Sequence, residues 1–231
     1  MNRARTIRKN TLSQWLGIEL DAVSGKEKFV SMLGGFVSMV LIMAISQNLL
    51  HLQGASMLIA SMGASAVLLF AVPHGQLSQP WPVIAGHFFP AIIGVTCAKF
   101  IPSTPLAAGC AVGLAIVTMH QLKCIHPPGG ATALTAVIGG PAIKELGYRF
   151  VMSPVLLNAL AIVCVAIAFN FLFDWRKYPA IWNQKQAPSP QEMPSHESVV
   201  NALRSLDSFV DITEEDLLRL HHLLSQQTNK S

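Results

Sequence analysis

Apolar runs divide the middle of the chain into segments of membrane-spanning length. A helix needs about 20 apolar residues to cross a bilayer core. Five runs have about this length, namely 29–50, 55–72, 83–100, 105–122 and 154–173. The second run is dense in Gly, Ala and Ser, which lets neighbouring helices approach closely. The third contains His87, a residue that needs a partner or a water-filled cavity inside a membrane.

A sixth apolar element, between residues 125 and 140, is interrupted at its start. Two prolines and two glycines follow His126, so no regular helix passes through residues 126–130 undisturbed. Since proline is tolerated in a first helical turn, we expect a helix of about 11 residues, about 16 Å or half a bilayer, ending at Gly139. Unpaired N–H groups at Gly129 to Ala131 and the positive end of the helix dipole would suit an anion. The alternative is a proline kink between two spans.

Composition assigns the chain to integral membrane proteins. Of the 231 residues, 52% are hydrophobic and only 12% are charged. This composition is too apolar for a soluble domain of such a size. We therefore predict an all-α polytopic membrane protein with about six membrane elements; four spans plus a re-entrant pair is the alternative. Basic residues favour cytoplasmic termini and a cell inner (plasma) membrane location. They cluster at one predicted side, as Arg3, Arg5, Arg8, Lys9, Lys26, Lys28, Lys123, Arg176 and Lys177.

The regions outside the spans divide the chain further. Residues 1–28 form a cytoplasmic N-terminal segment, 29–178 the membrane domain, 179–196 a linker rich in Pro and Ser, and 197–231 a cytoplasmic helical hairpin. We predict a loop at residues 141–152, between the broken element and the last span.

An internal repeat relates the two halves of the membrane domain. Gly63-Ala64-Ser65-Ala66-Val67 matches Gly130-Ala131-Thr132-Ala133-Leu134 in the second half. The two segments are 67 residues apart. Shifting the sequence by this distance aligns the first three apolar elements with the last three. Three elements per half give the halves opposite orientations, the inverted-repeat arrangement of many transporters with broken helices.

The polar residues within the spans restrict the chemistry. Between residues 29 and 173 the only acidic side chain is Glu145. This argues against a cation pathway and favours an anionic or neutral substrate bound by N–H, hydroxyl and imidazole groups. The four cysteines lack the spacing of a metal site or a disulfide framework, so we expect no metal and no cofactor. The modest net charge of +4 is consistent with membrane orientation rather than with nucleic-acid binding.

The run from His126 to Leu134, together with Gly63 to Phe70 and with Gln79-Pro80 followed by Gly86-His87, closely resembles the HPP family of integral membrane proteins. The resemblance covers roughly residues 29–178 and extends to bacterial members, many without an assigned substrate. Plastid and cyanobacterial members look like nitrite transporters. The resemblance implies transport and suggests nitrite as the leading substrate.

We therefore expect a transporter or channel for a small inorganic anion, embedded in the lipid bilayer, with a homo-oligomer left open. The expected substrate-binding residues are His126, Pro127, Pro128, Gly129, Gly130, Ala131, Thr132, Gly63, Ser65 and His87. Two alternatives remain: a membrane sensor or scaffold signalling through the C-terminal hairpin, and a membrane enzyme using His87 or His126. Without carboxylate pairs or metal clusters, we expect no enzymatic activity.

Overall fold

The computed structural model describes residues 23–48 and 56–183, and in these ranges the regular structure is helical throughout. The α-helices are α1 (Gly25–Asn48), α2 (Ser56–Ala71), α3 (Pro80–Phe100), α4 (Thr104–Gln121), α5 (Pro128–Ile138), α6 (Pro141–Leu146) and α7 (Leu157–Phe171). Short 3₁₀ turns cover Gln76–Ser78, Asp174–Arg176 and Ala180–Asn183. The predicted all-α membrane fold is confirmed. The predicted N-terminal segment and C-terminal hairpin lie almost entirely outside the described residues.

The number of helices that can cross a bilayer on their own is lower than the predicted six. In the described part, four helices are long and apolar enough to do so: Gly25–Gln47, Pro80–Phe100, Thr104–Gln121 and Val151–Phe171. The other two apolar helices, α2 and α5, have 16 and 11 residues. By length and composition, the described part therefore holds four helices of spanning length and two shorter apolar helices. The length of α5 agrees with its prediction because Pro128 begins the helix and Gly139 ends it.

Contacts at the two ends of the helical bundle show that successive apolar helices alternate in direction. Arg176, which follows α7, binds Glu27 at the start of α1 and the carbonyl of Phe70 at the end of α2. We call this the Arg176 end. Trp81 at the start of α3 donates to the carbonyl of Leu122 after α4, at 3.1 Å. Consecutive apolar helices are therefore antiparallel.

The short helix α5 runs in the same direction as α3. Its first turn lies against Gly86, near the start of α3. Further along, Ala133 lies against Gly94, and Val137 lines the same cavity as Lys99 near the end of α3. The extended residues before α5 and the helix itself thus cover most of the length of α3 together. We call the far end of the bundle the Lys99 end.

The segment predicted as a loop at 141–152 contains regular structure, so that prediction is wrong. Pro141 begins helix α6, and Ile143 on that helix is buried against the core. A π-helical turn at Val151–Leu156 then leads into α7, interrupted where Ser153 before Pro154 leaves the helical region, with φ −136° and ψ 116°. A residue that precedes proline is disfavoured in the helical region, which explains the break. The last span therefore starts at Val151.

Small residues bring α3, α4 and α5 together. Helix α4 buries a residue at every fourth position along one face, at Ala107, Ala111, Ala115 and Met119. This spacing places the four on one side of a helix. They join Ala85, Cys97, Ala133 and Val137 in one core cluster. Because these side chains are short, the helix axes approach closely around the polar residues described next.

Candidate functional site

Ser65 lies between two buried histidines. Its Oγ is 2.8 Å from Nε2 of His87 and 2.8 Å from Nε2 of His126. The two imidazole rings meet edge to face, with centroids 5.0 Å apart. All three side chains are 0% exposed. Residues from α2, α3 and the approach to α5 therefore share one hydrogen-bonded centre.

Each histidine has a second partner on its other ring nitrogen. Nδ1 of His87 lies 2.7 Å from Oγ1 of Thr132 on α5, and Thr132 in turn lies 3.2 Å from Oγ of Ser61 on α2. Nδ1 of His126 lies 2.8 Å from the carbonyl oxygen of Leu77. We refer to Ser61, Ser65, His87, His126 and Thr132 as the histidine cluster. All four ring nitrogens are engaged within it or by Leu77.

Two glycines set the distance between the elements that carry the histidines. A Cβ atom added at Gly129 would overlap the carbonyl oxygen of Gly86. A Cβ atom added at Gly86 would lie 2.5 Å from Cβ of His126 and 2.9 Å from the carbonyl oxygen of Cys124. Since real Cβ atoms do not approach other atoms so closely, both positions require glycine. This contact holds His126 beside the turn of α3 that carries His87.

The loop that supplies the Leu77 carbonyl is fixed by its own hydrogen bonds. Oγ of Ser78 donates to the carbonyl of Leu68 at 3.0 Å, and Nε2 of Gln79 donates to the carbonyls of Pro73 and Gly75. The buried hydroxyl of Tyr178 donates to the carbonyl of Ser78 at 2.8 Å. The segment after α7 therefore packs on the loop that orients His126.

A buried ion pair lies at the Arg176 end. The guanidinium of Arg176 binds Glu27 and also donates to Oδ1 of Asn170 at 3.1 Å, Oγ of Ser31 at 3.1 Å and the carbonyl of Phe70 at 2.6 Å. Burial lowers the pKa of Arg176 from its ordinary value, and the Glu27 carboxylate opposes that shift. The Arg176 guanidinium thus donates to the Phe70 carbonyl at the C-terminus of α2, where helix carbonyls lack intrahelical partners.

The expected site residues divide into three groups by position. His126, Pro128, Gly129, Thr132, Ser65 and His87 are buried together at the cluster. Gly63 and Gly130 are half-buried, and no atom lies within 4 Å of a Cβ added at Gly130. Pro127 and Ala131 are exposed on the outer side of the bundle. Pro127 and Ala131 therefore do not face the histidine cluster, because successive side chains of a helix point in different directions.

The expectation of open N–H groups at the start of α5 is wrong for two of its residues. The amide of Gly129 donates to the carbonyl of His126 at 2.8 Å, and the amide of Gly130 donates to the carbonyl of Pro127 at 3.0 Å. A tight first turn thus satisfies the donors locally. Polar side chains, rather than these amides, supply the chemistry of the centre.

Three participants were not among the expected site residues. Ser61 lies one helical turn before Ser65, a spacing that signals a shared face. Gly86 directly precedes His87, but the sequence alone does not identify Gly129 as its partner. The Leu77 carbonyl carries no signal in the sequence, since any residue has a backbone carbonyl.

The described residues offer no metal centre: no group of three His, Cys, Asp or Glu side chains could hold an ion there. The carboxylates in this part of the chain are Glu27, Glu145 and Asp174, and none bonds to the histidine cluster. The centre is therefore a set of imidazole and hydroxyl groups without an acidic partner.

Comparison with known proteins gives a consistent family assignment. Two transmembrane proteins of Dictyostelium discoideum are similar to this chain, one 33% identical over 175 residues and the other 38% identical over 129 residues. These alignments cover 73% and 54% of this chain but 56% and 45% of the relatives, so the chain spans about half their length. No solved structure matches. The family model for the HPP transmembrane region matches residues 21–179, a range that includes the histidine cluster and the six apolar helices of the described part, and the chain therefore belongs to the HPP family of membrane proteins.

Proposed function

We propose that this protein is a transporter or channel for a small inorganic anion, with nitrite as the leading candidate. The observation that carries the proposal is the histidine cluster itself, buried where the two short helices α2 and α5 meet α3. Polar side chains inside a membrane are costly and are retained mainly where a substrate or ion passes. Short helices that meet within the bilayer are a common way to build such a site.

The charge distribution favours an anion over a cation. A cation pathway is typically lined by carboxylates, and none of those in the described part contacts the cluster. Hydroxyl and imidazole N–H groups are donors that can bind an anion once they turn towards it. A planar anion with two oxygens, such as nitrite, matches a centre with several donors close together.

A cavity at the Lys99 end supports the same choice. It has a volume of about 280 Å³ and is lined by Ala98, Lys99, Ile101, Pro102, Thr104, Ala107, Val137 and Lys144. The lining contains two lysines and no carboxylate, so its positive charge would attract anions. Val137 on its wall lies five residues from Thr132 on α5, about 7.5 Å along the helix axis. The cavity and the histidine cluster therefore lie at successive positions along α5.

Orientation follows from the basic residues at the two ends. Lys26, Lys28, Lys123, Arg176 and Lys177 lie near the Arg176 end, and Lys99, Lys144 and Arg149 near the other. We propose that the Arg176 end faces the cytoplasm of an inner (plasma) membrane. Labelling of Lys177→Cys and Lys144→Cys by a membrane-impermeant thiol reagent in intact cells, with the native cysteines replaced, tests this. Only the second position should react.

The transport proposal is tested with purified protein in liposomes. Uptake of nitrite is measured beside nitrate, formate and chloride, with protein-free vesicles to correct for passive entry of nitrous acid. Saturable uptake of nitrite that exceeds the protein-free rate is the expected result. Absence of uptake for all four anions, in protein that is folded and inserted, would contradict the proposal.

An enzyme is the second candidate, because Ser65, His126 and the Leu77 carbonyl form a chain of hydroxyl, imidazole and orienting acceptor. This order resembles an activated nucleophile with its base. An active-site-directed fluorophosphonate distinguishes the two functions. Covalent labelling that Ser65→Ala removes would favour the enzyme, whereas an unlabelled Ser65 favours transport.

A further inference from the structure

We propose, resting on the anion transport proposed above, that the histidine cluster takes up one proton with each monovalent anion, so that transport is electroneutral. The proton positions in the cluster follow from which of its atoms can donate. The Leu77 carbonyl can only accept, so Nδ1 of His126 carries a proton. In a neutral imidazole the other nitrogen is then an acceptor. The hydroxyl of Ser65 therefore donates to Nε2 of His126.

The rest of the cluster follows from that first assignment. Ser65 has a single proton, so Nε2 of His87 must donate to its oxygen. Nδ1 of His87 is then the acceptor, and the hydroxyl of Thr132 donates to it. The four hydrogen bonds of 2.7–2.8 Å all point the same way, from Thr132 through His87, Ser65 and His126 to the Leu77 carbonyl. With both rings neutral, the short hydrogen bonds are all satisfied and no imidazole N–H is left for an anion.

A spare acceptor allows the cluster to accept another proton without losing a hydrogen bond. Oγ of Ser65 lies 3.2 Å from the carbonyl oxygen of Ser61 in the preceding turn of α2. When a proton binds Nε2 of His126, that nitrogen becomes a donor to Ser65. The hydroxyl proton of Ser65 then turns to the Ser61 carbonyl. One N–H bond forms, no covalent bond breaks, and the cluster gains one positive charge.

That positive charge needs a counterion which the protein does not supply. No carboxylate of the described residues contacts the cluster, so an imidazolium there is unstable without an anion. Conversely, an anion meets a positive charge at the cluster only in the protonated state. Binding of the proton and of the anion therefore favour each other, and the linkage is reciprocal. Return of the proton from Nε2 to water on the far side releases the anion.

The other titratable groups of the described residues are not part of the cluster. Helices α2 and α5 contain none, and α3 adds only Cys97 and Lys99. The nearer of these two is ten residues beyond His87, about 15 Å along the helix axis. The remaining groups on the loops and packed helices are Lys26, Glu27, Lys28, His74, Cys110, His120, Lys123, Cys124, Lys144, Glu145, Tyr148, Arg149, Cys164, Asp174, Arg176, Lys177 and Tyr178. None forms a hydrogen bond to a ring of the cluster in the described structure. His87 and His126 are therefore the groups that we expect to bind the proton.

The experiment measures charge and proton movement with nitrite uptake in proteoliposomes. Potassium gradients with valinomycin set the membrane potential, and a trapped pH dye reports the internal pH. We expect an inward proton gradient to accelerate uptake, the membrane potential to leave it unchanged, and about one proton to enter with each nitrite. Faster uptake with a positive interior and no accompanying proton would overturn the proton coupling but leave anion transport intact. No nitrite uptake by the unaltered protein would overturn both proposals.

Two variants and a binding measurement separate a loss of proton coupling from a loss of folded protein. His126→Gln retains donor and acceptor groups but cannot carry a charge, so its uptake should lose the response to the proton gradient. His120→Gln, at an exposed position near the end of α4, should respond as the unaltered protein does. In detergent, nitrite added to weakly buffered protein should remove about one proton from solution per nitrite bound. Nitrite binding without proton uptake would contradict the proposal.

Discussion

Ser65 and Thr132 bind opposite sides of the same imidazole ring. Ser65 lies 2.8 Å from Nε2 of His87, and Thr132 lies 2.7 Å from its Nδ1. The two residues occupy the same place in the repeated Gly-Ala-Ser-Ala and Gly-Ala-Thr-Ala segments. Each half of the membrane domain also has the order long helix, short helix, long helix. The two segments that match in sequence therefore each place one hydroxyl on His87.

The close contact between α3 and α5 predicts opposite effects for neighbouring glycines. Gly129→Ala should destabilise the folded protein by about 1–3 kcal/mol, because the new methyl group overlaps the Gly86 carbonyl and forces the helices apart. Gly130→Ala meets no atom and should be neutral or slightly stabilising. Thermal unfolding in detergent measures both. Equal melting temperatures for the two variants would contradict the packing described here.

Removal of the shared hydroxyl should affect stability and transport together. Ser65→Ala leaves two buried imidazole nitrogens without their common partner, which costs about 1–3 kcal/mol. We expect nitrite uptake to fall at least tenfold, since the hydrogen-bonded connection between the rings is lost. Ser103→Ala is the matched control, because Ser103 is exposed and makes no side-chain cap at the start of α4. Wild-type uptake by Ser65→Ala would remove this residue from the site.

The buried ion pair predicts a large effect at Arg176 and a small one next to it. Arg176→Ala leaves Glu27 buried and unpaired, a change that typically costs about 3–5 kcal/mol. Arg176→Lys should not restore stability, since one ammonium cannot bind Glu27, Asn170 and Phe70 as the planar guanidinium does. Lys177→Ala should change stability by less than about 0.5 kcal/mol, because its contact with Asp174 is at the surface. Denaturation of the three variants in detergent provides the comparison.

We expect His74 to contribute to the loss of folding stability at low pH. Burial lowers the pKa of His74 below its ordinary value of 6.5, a hydrogen bond to the backbone of Lys177 opposes this shift, and the charge of Arg176 adds to it. The unfolded chain therefore binds a proton more readily than the folded protein. Stability from this group is present above pH 6.5 and is lost as the pH falls below that value. His74→Gln should flatten the decrease in melting temperature as the pH falls below 6.5; an unchanged pH profile would argue against it.

Truncation separates transport from signalling through the C-terminal hairpin. Deletion of residues 187–231 leaves every residue of the histidine cluster in place, so we expect nitrite uptake to continue at a comparable rate. The sensor alternative predicts the reverse, with function lost on truncation and retained when the cluster is altered. The contact of Tyr178 with Ser78 gives a route by which the tail could modulate uptake, since Ser78 follows the residue that orients His126.

Sequence patterns predicted most of the fold and named four of the five residues of the histidine cluster. Long apolar runs and the proline and glycine boundaries of α5 predicted its elements, because these signals act locally. The helical turn at Pro141 was missed because so short a helix leaves little periodicity. His87, His126, Ser65 and Thr132 stood out in the sequence as polar residues in apolar surroundings, and the structure brings them together. The Gly86 and Gly129 contact and the Leu77 carbonyl could not be predicted, since they depend on how distant helices cross.

The most direct test of the account is nitrite uptake by His126→Ala and His87→Ala beside His120→Ala, in proteoliposomes with equal amounts of folded protein. His126 and His87 belong to the cluster, whereas His120 is exposed at the end of α4. We predict that the first two variants lose saturable uptake and that the third retains the rate of the unaltered protein. Saturable uptake at the unaltered rate in both cluster variants would contradict the claim that the anion passes through the histidine cluster.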